Sequence, residues 1–178
     1  MKDKLLLHVC CAPCSMYVIN QLLAKFDLTV YFFNPNVWPE EEYLKRLAEI
    51  KNFCNSRKMN YLEFDYQPTD WFKFIKGYET EPEKGFRCDL CFLYRLSKTA
   101  EYAKANNFDW FSTTLTMGRQ KQSFKILETG RKVENKFKIK FWDQDFKKEF
   151  GTQISDWLAK QMKLYKQDYC GCLFSMKG

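Results

Sequence analysis

The chain has 178 residues, 46% hydrophobic and 18% aromatic, with only 7 Gly and 5 Pro, which fits one globular domain over 1–178 and excludes disordered, collagenous and low-complexity classes. Lys plus Arg exceed Asp plus Glu by 29 to 22, a net charge of +7, so an anionic partner is expected. No apolar run approaches the roughly 20 residues that cross a bilayer, and LLLHVCCAPC runs too soon into cysteines to read as an export signal; the expectation is a cytoplasmic chain with no membrane contact.

Leu5 to Val9 reads as a strand ending at Cys10, Cys11 and Cys14, and Val18, Ile19, Leu22 and Leu23 give Ser15 to Phe26 a helical period. Leu28 to Phe33 is a second strand, stopped by Asn34-Pro35-Asn36. Pro39 and three glutamates open a helix to about Ser56, since proline suits a first turn and acids complement the helix dipole. Tyr61 to Phe64 reads as a third strand, and Asp70 to Ile75 as a short helix capped by Asp70. After a Gly77 to Gly85 loop, Cys88 to Asn106 is helical, Trp110 to Leu115 a fourth strand and Lys121 to Leu127 a helix. Ile139 to Phe141 is a fifth strand, and Phe146 to Lys166 completes the chain as one or two helices. This alternation implies a doubly wound α/β fold, a parallel sheet with helices on both faces. Ligands bind such sheets at the carboxyl ends of the strands, where Cys10, Asn34 and Thr114 are expected to converge.

Seven of the eight cysteines fall in three tight groups: Cys10, Cys11 and Cys14; Cys88 and Cys91; Cys170 and Cys172. In a chain without an export signal such grouping points to metal binding or redox chemistry rather than structural disulfides. Cys11-Ala12-Pro13-Cys14 alone has the form of a thioredoxin-like redox site. It does not account for Cys10 or the other pairs. A zinc ribbon is disfavoured because Cys14 and Cys88 lie too far apart in sequence, yet soft sulfur donors brought together by the fold suit zinc or an iron–sulfur cluster. The surplus over four ligands argues for a second metal, a redox dithiol, or both. Around Gly171 the chain can turn sharply, so Cys170 and Cys172 read either as a reducible pair or as further ligands. Cys54 reads as a buried free cysteine, His8 as a core histidine supporting the site, and Asp89 as a metal ligand, proton donor or helix cap. From Met117 to Lys140 eight basic residues face only Glu128 and Glu134, a candidate surface for phosphates.

The segments HVCCAPC (His8 to Cys14), FFNPNVWPEEEYLKR (Phe32 to Arg46), GFRCDLCFLYRL (Gly85 to Leu96), FSTTL (Phe111 to Leu115), DFKKEFG (Asp145 to Gly151) and LYKQDYCGCLFS (Leu164 to Ser175) together resemble the cobalamin-independent epoxyqueuosine reductases of the QueH type. The chain departs from that pattern at Trp38, where histidine is frequent, and at TMGRQKQ, where relatives tend to carry a Ser-Pro pair. The resemblance implies a Rossmann-like, nucleotide alpha-hydrolase-like fold and reduction of epoxyqueuosine to queuosine at the tRNA wobble position, with the basic segment positioning the anticodon arm. It further implies a four-iron four-sulfur cluster, expected on Cys10, Cys11, Cys88 and Cys91, and a second, mononuclear iron held partly by Cys14 and Asp89, where it acts as Lewis acid on the epoxide oxygen. Cys170 and Cys172 are expected to cycle between dithiol and disulfide, supplied by a separate electron donor. Two alternatives stand beside this reading: a thioredoxin-like thiol-disulfide oxidoreductase, and a zinc-stabilised RNA-binding module.

Overall fold

The computed structural model describes residues 1–176. Five strands, β1 (Lys4–Val9), β2 (Asp27–Phe32), β3 (Asn60–Glu63), β4 (Trp110–Thr113) and β5 (Lys140–Phe141), form one sheet in the order β3-β2-β1-β4-β5. Every pairing is parallel. Helices α1 (Ala12–Leu23), α2 (Glu40–Ser56), α3 (Pro68–Phe74), α4 (Phe86–Ala105), α5 (Ser123–Phe137) and α6 (Gly151–Gln161) connect and cover them, which bears out the doubly wound Rossmann-like arrangement.

Strand alternation decides the layering. Leu5, Leu7 and Val9 of β1 face a core built with Met16, Val18 and Ile19 of α1 and Ile50 of α2. Leu6 faces the opposite core with Leu96 and Ala100 of α4 and Ile126 and Val133 of α5. With both faces covered, β1 buries all of its residues after Lys4, as a central parallel strand must.

The chain winds from β1 outward through β2 to β3, then returns through α3 and α4 to β4 on the other side of β1. The winding therefore reverses between β1 and β4, and the crevice above their carboxyl ends is the place where such sheets hold ligands.

Several boundaries differ from the sequence expectation, among them a last helix confined to Gly151–Gln161. α1 begins at Ala12 with Pro13 in its first turn, so Cys14 is helical. α3 begins at Pro68 after Gln67, which leaves Asp70 inside the first turn instead of at the cap. β4 ends at Thr113 and a 3₁₀ turn (Thr114–Met117) follows, with Thr113 Oγ1 accepting from Leu115 N at 3.1 Å. α5 runs ten residues past its expected end, because Gly130 marks a close approach rather than a stop. A Cβ there would lie 2.1 Å from Phe141 of β5.

Candidate metal centre and catalytic site

The first thiol group is set by β1 and α1. Cys10 and Cys11 leave the end of β1, Cys14 sits in the first turn of α1, and the three sulfurs all lie within 4.8 Å of one another. Cys10 and Cys11 are buried and their Sγ atoms are 3.9 Å apart. Gln167 Nε2 donates to Cys11 Sγ at 3.1 Å. Hydrogen bonds from Cys11 and Cys14 hold the Cys10 thiol well below its ordinary range, against the opposing effect of burial. The proton is held more tightly on its neighbours: hydrogen bonding to Cys10 raises Cys11 to about 11, and bonding to Cys10 and Cys11 raises Cys14. The trio thus makes Cys10 the thiol that gives up its proton most readily, and the deprotonated form is the one that binds metal.

The second group is assembled from distant segments. Cys88 and Cys91 lie in the first two turns of α4, and Cys170 and Cys172 in the loop before the last 3₁₀ turn (Leu173–Ser175), and all four line one pocket. Burial raises Cys91 to about 11 and shifts Cys88 upward too. Gly171 adopts φ +123°, and a Cβ there would lie 2.9 Å from Arg46 Nη1, so glycine permits both the turn and the packing. Arg46, paired with Glu42 at 2.7 Å, donates to Cys170 O at 3.3 Å, while Gly171 O accepts from Trp38 N at 2.7 Å. Both thiols of this turn are free.

The structure therefore groups Cys14 with Cys10 and Cys11, and sets Cys88, Cys91, Cys170 and Cys172 around one pocket, with the two groups adjoining where Cys14 and Cys170 line a common space. Among the described residues, the trio is the one cysteine, histidine or carboxylate set of three within mutual ligand distance. Asp89 lines the second pocket beside Cys88; its Oδ2 pairs with Lys125 at 2.8 Å and its buried Oδ1 has no partner. Asn36 Oδ1, Trp71 Nε1 and Gln122 Oε1, on residues lining the same pocket, are also buried without partners. Orphaned buried polar atoms are uncommon and costly. Several around one thiol pocket, beside a trio that favours a thiolate, fit a site that takes a metal–sulfur group and a polar substrate.

His8 lies beneath the site, fully buried, with Nδ1 2.9 Å from Thr113 Oγ1 and Nε2 3.1 Å from Phe33 O. Asn34 Nδ2 donates to Val9 O at 2.8 Å, so the loop after β2 closes over the end of β1. Cys54 is fully buried in α2, where burial raises it to about 11, away from both groups. The basic segment divides. Arg119, Arg131 and Lys132 form ion pairs with Asp156, Asp143 and Glu128, whereas Lys121 lines the spaces beside both thiol groups. Burial opposes the Lys121 charge, but the thiols of Cys10, Cys170 and Cys14 raise its pKa above the ordinary lysine value.

Sequence reasoning missed Arg46, Trp71, Arg87, Arg95 and Lys121 as parts of this site. The available signal was spacing: Cys88, Cys91 and Arg95 recur at i, i+3 and i+7 and so share one face of α4.

An α/β protein of Rossmann-like architecture, with seven thiols gathered over the switch point of its sheet, defines a thiol-rich metal-binding class. The sequence pattern of the family described as epoxyqueuosine reductase QueH matches residues 5–178. An epoxyqueuosine reductase QueH of Haemophilus influenzae is 40% identical over 177 residues, 98% of this chain and 72% of that protein. Those of Acinetobacter baylyi and Thermotoga maritima are 39% and 33% identical, over 98% and 96% of this chain and 81% and 89% of theirs. The chain belongs to the epoxyqueuosine reductase QueH family and is an oxidoreductase. Among solved structures, the U34-tRNA thiolase NcsA of Methanococcus maripaludis, described with its [4Fe-4S] cluster, superposes with a TM-score of 0.60 at 12% identity, over 99% of this chain. This chain spans 63% of that protein's length, and the likeness is one of fold. Among the described residues no helix is long and apolar enough to cross a membrane.

Proposed function

We propose that the protein reduces epoxyqueuosine in tRNA to queuosine with a cluster anchored by Cys10, Cys11 and Cys14 and a redox pair at Cys170 and Cys172. The observation that carries this division is the grouping of the sulfurs, a compact trio at the end of β1 and, adjoining it, four cysteines around one pocket over α4. It revises the ligand set expected from sequence, which joined Cys10 and Cys11 to Cys88 and Cys91. In this reading Cys88, Cys91 and Asp89 hold the second, mononuclear iron. Bound there, the metals supply electron transfer and Lewis acidity toward an oxygen.

The reaction restores a carbon–carbon double bond, and the epoxide oxygen leaves as water, which consumes two electrons and two protons. Oxidation of Cys170 and Cys172 to a disulfide releases two electrons and two protons, so the pair balances one turnover. A separate electron donor returns the pair to the dithiol. Arg46 and Gly171 hold that turn against the pocket wall. Asn36, Trp71 and Gln122 offer acceptors and a donor to a polyhydroxylated ring. Lys84, Lys121 and Lys125, which line the pocket with them, favour an anionic polymer there. The chain acts as one reductase domain over 1–178, in the cytoplasm, where its tRNA substrate is found.

The test is anaerobic incubation of iron- and sulfide-loaded protein with epoxyqueuosine-containing tRNA, a reductant and nucleoside mass analysis. Queuosine at the wobble position is expected. Disulfide reduction by metal-free protein without tRNA turnover would favour the thioredoxin-like alternative, and tRNA binding by colourless zinc protein the RNA-binding module.

A further inference from the structure

Arg46, Arg87 and Arg95 are all buried, at 1%, 2% and 2% exposure. Taking a charge out of water costs several kcal/mol unless a counter-charge repays it. Arg46 has Glu42. Arg95 has no carboxylate within ion-pair distance among the described residues.

The side chains that hydrogen-bond Arg95 carry no opposing charge, and the other groups lining its pocket include the cation Lys121 and four cysteines. Its Nε lies 3.3 Å from His8 Nε2, and Nη2 donates to Asn34 Oδ1. An imidazole carries no negative charge in either protonation state, so His8 cannot offset the guanidinium. Asn34 is neutral and is itself fixed by Val9 O. Arg95 stands one turn beyond Cys91 on α4 and lines the quartet's pocket. On its other side its partners His8 and Asn34 sit at the end of β1, Asn34 on the Val9 carbonyl that adjoins Cys10. The guanidinium is therefore a rigid cation between the two thiol groups, held by side chains that cannot neutralise it.

We infer that Arg95 is a built-in counter-charge of the metal–sulfur group, beside Lys121, and a positioning residue that raises the group's reduction potential. Thiolate-held clusters carry net negative charge, and a further electron adds to it. A desolvated cation fixed nearby stabilises the reduced form more than the oxidised one. Asn34 belongs to the same device, since it orients the guanidinium without cancelling it. The inference rests on the reductase reading above.

The test compares wild type with Arg95→Lys, Arg95→Met and Asn34→Asp after anaerobic reconstitution. Iron and acid-labile sulfide are measured first, then the midpoint potential by mediated titration followed through absorbance. Arg95→Met removes the charge. Asn34→Asp keeps the guanidinium and sets a carboxylate against it, so it serves if Arg95→Met fails to fold. Both are expected to move the reduction equilibrium at least tenfold toward the oxidised form, 59 mV more negative for a one-electron couple. Arg95→Lys is expected to stay within threefold of wild type, because it retains the charge. Sulfide-loaded Arg95→Met and Asn34→Asp proteins with the wild-type potential would overturn the inference while leaving the reductase reading intact. Wild-type protein that takes up no sulfide would overturn both.

Discussion

The two thiol groups are built in opposite ways. Cys10, Cys11 and Cys14 come from five consecutive residues at the junction of the central strand and its helix, so the core that fixes β1 and α1 also fixes the trio. Cys88, Cys91, Cys170 and Cys172 come from segments about eighty residues apart, and their closeness depends on one arginine, one glycine and a few backbone hydrogen bonds. A locally encoded group suits a permanent anchor, and a group held by a light loop suits thiols that change partners during turnover.

The largest expected effect separates those roles. Cys10→Ala removes the sulfur at the centre of the trio, and near-complete loss of bound iron and sulfide is expected by metal analysis. Cys170→Ser with Cys172→Ser is expected to retain iron and lower turnover at least a hundredfold, measured as queuosine formed. Iron loss in that double variant would make the pair ligands and erase the contrast.

Gly171→Ala attacks the loop without touching a thiol. The left-handed backbone and the clash with Arg46 together cost about 1–3 kcal/mol, enough to reduce turnover by tenfold or more while iron content holds. Arg46→Met is expected to act in the same direction, because the Cys170 carbonyl loses its donor. Wild-type turnover in both variants would show that the turn needs no such clamp.

A smaller effect concerns pH. His8 is held neutral in the fold, so on acidification the unfolded chain takes up its proton more readily than the native one. Stability attributable to this residue is intact above about 6.5, its ordinary value, and declines below it. Thermal melts of wild type and His8→Gln between pH 5 and pH 8 are expected to converge on the acid side, and parallel curves would refute the assignment.

The smallest effect belongs to Cys54. Buried and shifted up to about 11, it is expected to resist alkylation at neutral pH until the protein unfolds, as read by mass spectrometry of labelled peptides. Cys54→Ala is expected to leave iron content unchanged.

Much of this was legible because the apolar pattern is periodic. The run Leu5 to Val9, the Asn34 turn and the alternation of strands and helices implied the parallel sheet, and Asn34 does reach Val9 over the strand ends. The span of α5 was not legible, since Gly130 reads as a breaker unless the packing of Phe141 is known. The sorting of thiols was hidden for a related reason: spacing shows which cysteines are neighbours in sequence, but not whether α4 meets the β1 end or the carboxyl-terminal loop. Arg95 drew no reading from sequence and Lys121 only one as part of the basic stretch, because only tertiary structure reveals a buried cation left without a carboxylate.

The most direct test of the proposed division is a pair of anaerobic iron and sulfide analyses on Cys14→Ala and Cys88→Ala proteins. Loss of most sulfide in Cys14→Ala with sulfide retained in Cys88→Ala is predicted, since the cluster rests on the trio. Retained sulfide in Cys14→Ala and its loss in Cys88→Ala would contradict the account and return the cluster to Cys10, Cys11, Cys88 and Cys91.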